Sequence, residues 1–436
     1  MIRTLAPVAA LLFSVAILIT GQGLQGTLLP VRANLEEFSA LMVGIMGAAY
    51  FLGFTLGCVR GIDMIRKVGH IRVFAAMTAI ASATPLLHGL FIHDVAWCIF
   101  RFLSGFCFAA LYVVIESWLN EMSTNENRGM IFSVYVIIHL TVVALGQQML
   151  LLADPAQMPL FAAITVLVSL AAVPVALSTS PMPQIVPEGV KVNFKKLYVI
   201  SPAGVLGCVA AGIASGIFYS LSPLYTAAQS DDLTLAASFM TAAVLGGALG
   251  QWPLGYVSDR IDRRFVIAFC AVVCCALSVG LWLVSGQLST NTLLVVNLIW
   301  GAMSFPIYSI SIAHANDYAQ PDDFVMISSG MLLVYGLGAV VGPFIGSAFI
   351  GMAGVGGMFL PIAIADAALA LYILYRVFQR EQADSDDQIP FTEALAAVVT
   401  KSPVYDYYED EETDEQQAEP QTAHDEDSGA DSETLP

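Results

Sequence analysis

Charge is what this sequence has least of. Only 12% of its 436 residues are Asp, Glu, Lys or Arg, while 57% are hydrophobic, and mean hydropathy is +0.74. A water-soluble domain needs about 25% charged residues to coat its surface, so a soluble enzyme is excluded for most of the chain. Bases are scarcer still, at 17. They form no patch able to grip phosphates, which excludes nucleic acid as a partner. No Gly-x4-Gly-Lys-Ser/Thr run is present, so ATP is not the direct driving force. Clustered His-x3-His or acidic motifs are also missing, which speaks against an integral-membrane enzyme. The seven cysteines fall in apolar stretches without zinc spacing and read as small buried thiols. Neither a metal nor a cofactor is expected.

The net charge of −18 is concentrated in one place. Residues 381–436 carry 18 of the 35 acids and a single base, Lys401. Residues 1–380 are close to neutral. The acidic stretch is poor in aliphatics and is expected to be a disordered cytoplasmic tail.

What the sequence has in abundance is long apolar runs. Twelve of about 20 residues recur, beginning at 7–29 and ending at 354–378. Each is long enough to cross ~30 Å of hydrocarbon as a helix. The first follows Met1-Ile2-Arg3 but is too long for a signal peptide and lacks a small-residue cleavage site. Positive charge then sets topology. With the amino terminus inside, fifteen of the 17 bases fall on the cytoplasmic side. Only Arg32 falls opposite, and Arg101 lies within a helix. Both termini are therefore expected in the cytoplasm of a bacterial inner-membrane protein, with lipid as its solvent.

A polar linker, 179–198, carries Pro181, Pro183, Pro187 and three lysines. It separates a first six-helix bundle (1–178) from a second (199–380). The halves echo one another. Pro30 and Pro223 lie 193 residues apart, as do Gly57 and Gly250. Arg101-x3-Gly105 matches Asn297-x3-Gly301 at 196, and Tyr112 matches Tyr308 at the same offset. The predicted fold class is all-α: twelve transmembrane helices as two pseudo-symmetric six-helix bundles.

The sharpest motif is Gly255-Tyr-Val-Ser-Asp259-Arg260-Ile-Asp262-Arg263-Arg264, between helices eight and nine. An aspartate at a helix end can hold an arginine or a neighbouring helix terminus. In the first half, Gly61-Ile-Asp63-Met-Ile-Arg66-Lys67-Val-Gly69 is a degenerate counterpart, with Asp63 out of register. Helix four carries Arg101, Gly105, Ala109, Tyr112 and Glu116 on one face. Arg101 and Glu116 stand about 22 Å apart along a helix, too far to pair. Charge in lipid is costly, so this face points at a partner or a wet cavity. His139, Asn297 and Asp366 also lie at membrane depth. Gln22, Gln25, Tyr50, Tyr219, Gln251, Trp252 and Tyr308 join Tyr112 as candidates to line a polar cavity. In helix eleven, Gly338-x3-Gly342-Pro343-x2-Gly346 predicts close helix packing.

The helix eight–nine loop resembles the signature of the major facilitator superfamily, with Asp262 in place of its second glycine. Tyr112-Val-Val-Ile-Glu116-Ser-Trp118-Leu-Asn120, Asn127-Arg128-Gly129, Ser222-Pro223-Leu224-Tyr225 and Leu249-Gly250-Gln251-Trp252-Pro253 narrow the resemblance to its YcaD-like group. The resemblance implies a monomeric secondary transporter that moves a small solute by alternating access between the two halves. It implies a conformational latch at Gly255, Asp259, Arg260, Arg263 and Arg264, and in the first half at Gly69 and Arg66. It links Arg101, in its Arg-x3-Gly context, with proton coupling. Glu116, His139 and Asp366 are the other proton candidates, and Asn297 a further candidate for the solute site. The other class open to this sequence is a non-transporting membrane sensor on the same fold. That would require a folded output module, and only the tail lies outside the membrane body.

Overall fold

The computed structural model describes residues 8–123, 127–177, 192–320, 323–379 and Phe391. Most of the linker and nearly all of the acidic tail lie outside the described residues. Among the described residues, twelve helices are long and apolar enough to cross a membrane. They are α1 (Ala9–Leu35), α2 (Ala40–Val68), α3 (His70–Leu90), α4 (Asp94–Glu121) and α5 (Arg128–Gln148). Next comes α6 (Pro159–Ala176). The second half holds α7 (Pro202–Ala227), α8 (Leu233–Ser258), α9 (Arg263–Leu283), α10 (Thr290–Asn316), α11 (Phe324–Ala353) and α12 (Phe359–Val377). No strand occurs among the described residues.

Local chemistry sets the helix ends. Side chains cap the first turns of α2, α8, α9 and α10: Ser39, Asp232, Asp262 and Ser289 accept from the backbone amides of Met42, Thr234, Arg264 and Thr292. Such caps satisfy amides that the helix itself leaves unpaired. A single residue, Gly69 at φ +84°, breaks α2 from α3. A side chain there would be strained. A short helix, Phe194–Ile200, leads into α7. It is tied to the start of α11 by the Lys196–Asp323 ion pair.

Lipid offers helices no hydrophobic reason to associate, so close backbone approach must supply the contact. Gly53 of α2 lies against the Phe102 carbonyl of α4, and Gly105 of α4 lies against the Tyr50 carbonyl of α2. The second half repeats this between α8 and α10: Gly246 meets the Leu298 carbonyl and Gly301 meets the Ala243 carbonyl. Tyr50 and Ala243 are 193 residues apart, Gly105 and Gly301 are 196 apart. The offsets legible in the sequence are thus the offsets of equivalent helix contacts, and the two bundles are pseudo-symmetric. A Cβ at Gly105 would collide with backbone that cannot rotate away. Gly105→Val is therefore expected to cost about 1–3 kcal/mol or more by overpacking and to reduce the folded monodisperse fraction in detergent. Gly280→Ala, where nothing lies within 4 Å, should leave that fraction unchanged.

The halves meet chiefly through α2 with α11 and α7, and through α8 with α5. Gly44 rests on Ser347 and Pro343, and Gly47 on Ser220. The Gln148 amide donates to the Thr241 hydroxyl (2.9 Å), which donates to Gln147 (3.1 Å). The contacts at Gly44, Gly47, Gln147 and Gln148 sit near the helix ends remote from the basic loops, while Gly336 of α11 meets Thr55 halfway along α2. Small residues on α11 let it approach α7 as the pattern predicted: Gly338 meets the Val209 carbonyl and Gly342 the Ile213 carbonyl.

Candidate functional site

A cavity of about 180 Å³ lies between the halves at mid-depth. Helices α1, α2, α4 and α5 line it from the first half, and α7, α8 and α11 from the second. Of the residues singled out in the sequence, Gln22, Gln25, Tyr50, Arg101, Tyr112, His139 and Tyr219 line it. Their polar groups form a chain. The Gln22 amide donates to the Tyr50 hydroxyl (2.8 Å), and the Tyr112 hydroxyl donates to the Gln22 carbonyl. The Arg101 guanidinium stacks 4.2 Å from the Tyr50 ring centroid. Gln25 donates to Ser104 (3.3 Å), which shares a 2.8 Å hydrogen bond with Thr84.

The chain continues toward the C-terminal end of α4, on the side of the basic loops. Tyr112 packs 5.8 Å from the His139 ring, and His139 packs 6.2 Å from the Tyr135 ring. The Tyr135 hydroxyl donates to the Glu116 carboxylate at 3.2 Å. Glu116 is buried and does not face the cavity directly. Tyr135 and Tyr335, which complete the chain and the cavity wall, escaped the sequence reading. Both sit in apolar runs with no motif around them.

Other candidates lie elsewhere. Asn297 is fully buried and donates to the Phe239 carbonyl at 2.6 Å, fastening α10 to α8. Asp366 is buried on α12 near Cys270 and Cys274 of α9, away from the cavity lining. Gln251 donates to Ser309 at 2.6 Å and Tyr308 packs 4.7 Å from Tyr335, both outside the lining. Trp252 is 70% exposed and packs on Tyr256. It faces outward because an apolar aromatic satisfies lipid as well as it satisfies a cavity wall.

The α8–α9 loop is an ion-pair cluster. Arg263 donates to Asp317 at the end of α10 (2.8 Å), to Asp259 (3.0 Å) and to Ser258 (3.1 Å). Arg264 pairs with Asp262 at 2.6 Å, and donates to the Arg376 carbonyl at the end of α12 (3.4 Å). Arg260 is exposed and lies over the Tyr256 ring. The cluster ties together the basic ends of α8, α9, α10 and α12. In the first half Arg66 is exposed, on the last turn of α2 before Gly69.

One residue of the acidic stretch joins this cluster. Phe391 is 3% exposed, and its ring lies against Gly255. Its amide donates to both Asp259 oxygens at 2.9 and 3.1 Å. Burying a phenylalanine contributes about 1.5–3 kcal/mol. Phe391→Ala is expected to lower stability by that order, and truncation after Arg380 by a similar amount. A truncated protein with an unchanged unfolding midpoint in detergent would show that the contact contributes nothing.

Two pseudo-symmetric bundles that repeat one another's helix contacts around a shared mid-depth cavity form an architecture found among membrane transporters. The model of the Major Facilitator Superfamily matches residues 11–329, and the chain belongs to that superfamily. It is a multi-pass membrane transporter and not an enzyme. It is 27% identical over 339 residues to the MFS-type transporter YcaD of Escherichia fergusonii, spanning 77% of this chain and 87% of that protein. The YcaD of Escherichia coli matches at the same identity and coverage. Among solved structures, the nucleoside transporter NupG superposes with a TM-score of 0.71 at 13% identity, over 86% of this chain and all of that one. A bacterial homologue of the lysosomal transporter Spinster gives 0.64 at 13% identity, over 92% and 98%. These structural likenesses establish the fold.

Proposed function

We propose that this protein moves a small solute across the bacterial inner membrane by alternating access, as a monomer with both termini in the cytoplasm. The observation that carries the reading is the polar cavity lined from both halves. A solute held there contacts both bundles, so rocking one against the other exposes it to each side in turn. With the basic ends cytoplasmic, the contacts between α2 and α11 and between α5 and α8 close the outer side.

The division into a 1–178 bundle, a 179–198 linker and a 199–380 bundle supplies the rocking bodies. The Arg263 cluster makes the cytoplasmic end of the second body rigid, and with Gly255, Asp259, Arg260 and Arg264 it acts as the conformational latch. Gly69 and Arg66 are the first body's counterpart. Asn297, Gln251 and Tyr308 hold helices of the second body in place rather than touching solute. Proton coupling runs through Glu116, linked by Tyr135 and His139 to Tyr112 and the cavity. Asp366, buried between α9 and α12, is the second-half acid of the same kind. Reconstitution into proteoliposomes tests the reading. Solute uptake that saturates and rises with an inwardly directed proton gradient, acid outside, is expected. Absence of flux for every solute that binds the purified protein would reject it in favour of a sensor.

A further inference from the structure

Four arginines are buried in the described part of the chain: Arg32, Arg101, Arg263 and Arg264. Three have a carboxylate. Arg32 pairs with Glu36 at 2.6 Å, Arg263 with Asp317 and Asp259, and Arg264 with Asp262. Arg101 has none among the described residues, although it is only 7% exposed. It is also the one of the four that lines the cavity.

A buried cation without a counter-charge is costly, and proteins retain one where something else supplies the charge. The stacking of Arg101 on Tyr50 contributes about 0.5–2 kcal/mol but leaves its charge uncancelled. No Asp or Glu among the described residues lines the cavity. On α4 itself, Glu116 stands about 22 Å away and is engaged by Tyr135. The position equivalent to Arg101 in the second half is Asn297, neutral and spent on a helix contact. The cavity thus presents one permanent positive charge, on one side, together with one titratable ring, His139.

Around that charge stand neutral groups. Gln22, Gln25 and Tyr112 offer hydrogen bonds, while Phe54 and Tyr219 offer ring faces. Resting on the transport reading above, we propose that the solute is a small organic monoanion, its carboxylate held by Arg101 and its apolar or aromatic body against Phe54 and Tyr219. A guanidinium suits this task because its planar fork binds a carboxylate through two parallel hydrogen bonds. Binding supplies the missing counter-charge, and the neutral complex carries less electrostatic cost than the empty site as the halves rock.

The test is a thermal-shift series on the purified full chain in detergent. The probes are matched triplets: 3-phenylpropionate, 3-phenylpropionamide and 3-phenylpropylamine, with benzoate, benzamide and benzylamine, and hexanoate, hexanamide and hexylamine. Ligands that bind the folded state raise the midpoint. At least one carboxylate is expected to raise it in a saturable way, with its amide and amine inactive. Arg101→Gln should abolish the shift, and Arg101→Lys should retain part of it. The unliganded midpoint of each variant reports whether it has folded. No stabilising carboxylate, an amide or amine acting as well as its acid, or an undiminished shift in a folded Arg101→Gln would each overturn the proposal. Flux of a neutral or cationic solute in proteoliposomes would reject the monoanion and leave transport standing. Saturable anion binding without any flux would do the reverse.

Discussion

Replacing Arg263 with methionine is expected to lower stability by about 3–5 kcal/mol, the penalty for breaking one side of a buried ion pair. The Arg263 side chain is 1% exposed and that of Asp317 is 3% exposed. The substitution leaves the Asp317 charge buried without its 2.8 Å partner and also strips a donor from Asp259. Arg263→Met/Asp317→Leu should recover much of the loss, because two apolar groups can replace a buried pair nearly neutrally. Arg260→Met is the control. Arg260 is exposed, and surface substitutions fall within about 0.5 kcal/mol. Thermal unfolding in detergent checks all three. A single variant as stable as the Arg260 control would show that the cluster is merely a topogenic charge group.

The second large effect concerns Glu116. Glu116→Gln keeps the shape and an acceptor for the 3.2 Å bond from Tyr135 but cannot carry a proton. Accumulation driven by a pH gradient is expected to collapse to the undriven level, while exchange of labelled for unlabelled solute continues. A general structural defect would impair both. Tyr135→Phe removes the donor while keeping the ring against His139, and should weaken driven uptake less. Driven accumulation that survives in Glu116→Gln would assign the proton to another group.

Much of this was legible in the amino-acid order because lipid is an exacting solvent. Every crossing needs its own 20-residue apolar helix, so the spans are written one by one along the chain. The repeat offsets of 193 and 196 were visible for a related reason. Close helix contact in lipid requires small residues at fixed places, and Gly57, Gly105, Gly250 and Gly301 mark them. The same offset of 196 carries Asp317 back onto Glu121, so an acid stands at the end of the equivalent helix in each half.

The cavity was half legible. A charged or amide side chain in an apolar run betrays a wet face, which exposed Gln22, Gln25 and Arg101. Aromatic residues carry no such signal, since Trp252 on the outer surface and Tyr335 on the cavity wall look alike in sequence. Asp366 had the right chemistry and depth, but only the packing of α12 on α9 turns it away from the cavity. Phe391 was hidden by its surroundings, one apolar residue in a stretch read as solvated tail. Its contact with Gly255 and Asp259 spans more than 130 positions, beyond the reach of any local pattern.

The proposed transport requires two rigid bundles that rock about the cavity. Paired spin labels on the purified chain test it most directly, one pair at each end. Leu41 with Met352 spans the end of α2 and α11 remote from the basic loops, and Val68 with Phe378 spans the basic end; all four sites are exposed. In lipid, on adding a stabilising solute or shifting pH across the range that drives uptake, the two distances should change in opposite senses. Two distances that stay fixed, or that lengthen and shorten together, would contradict the account.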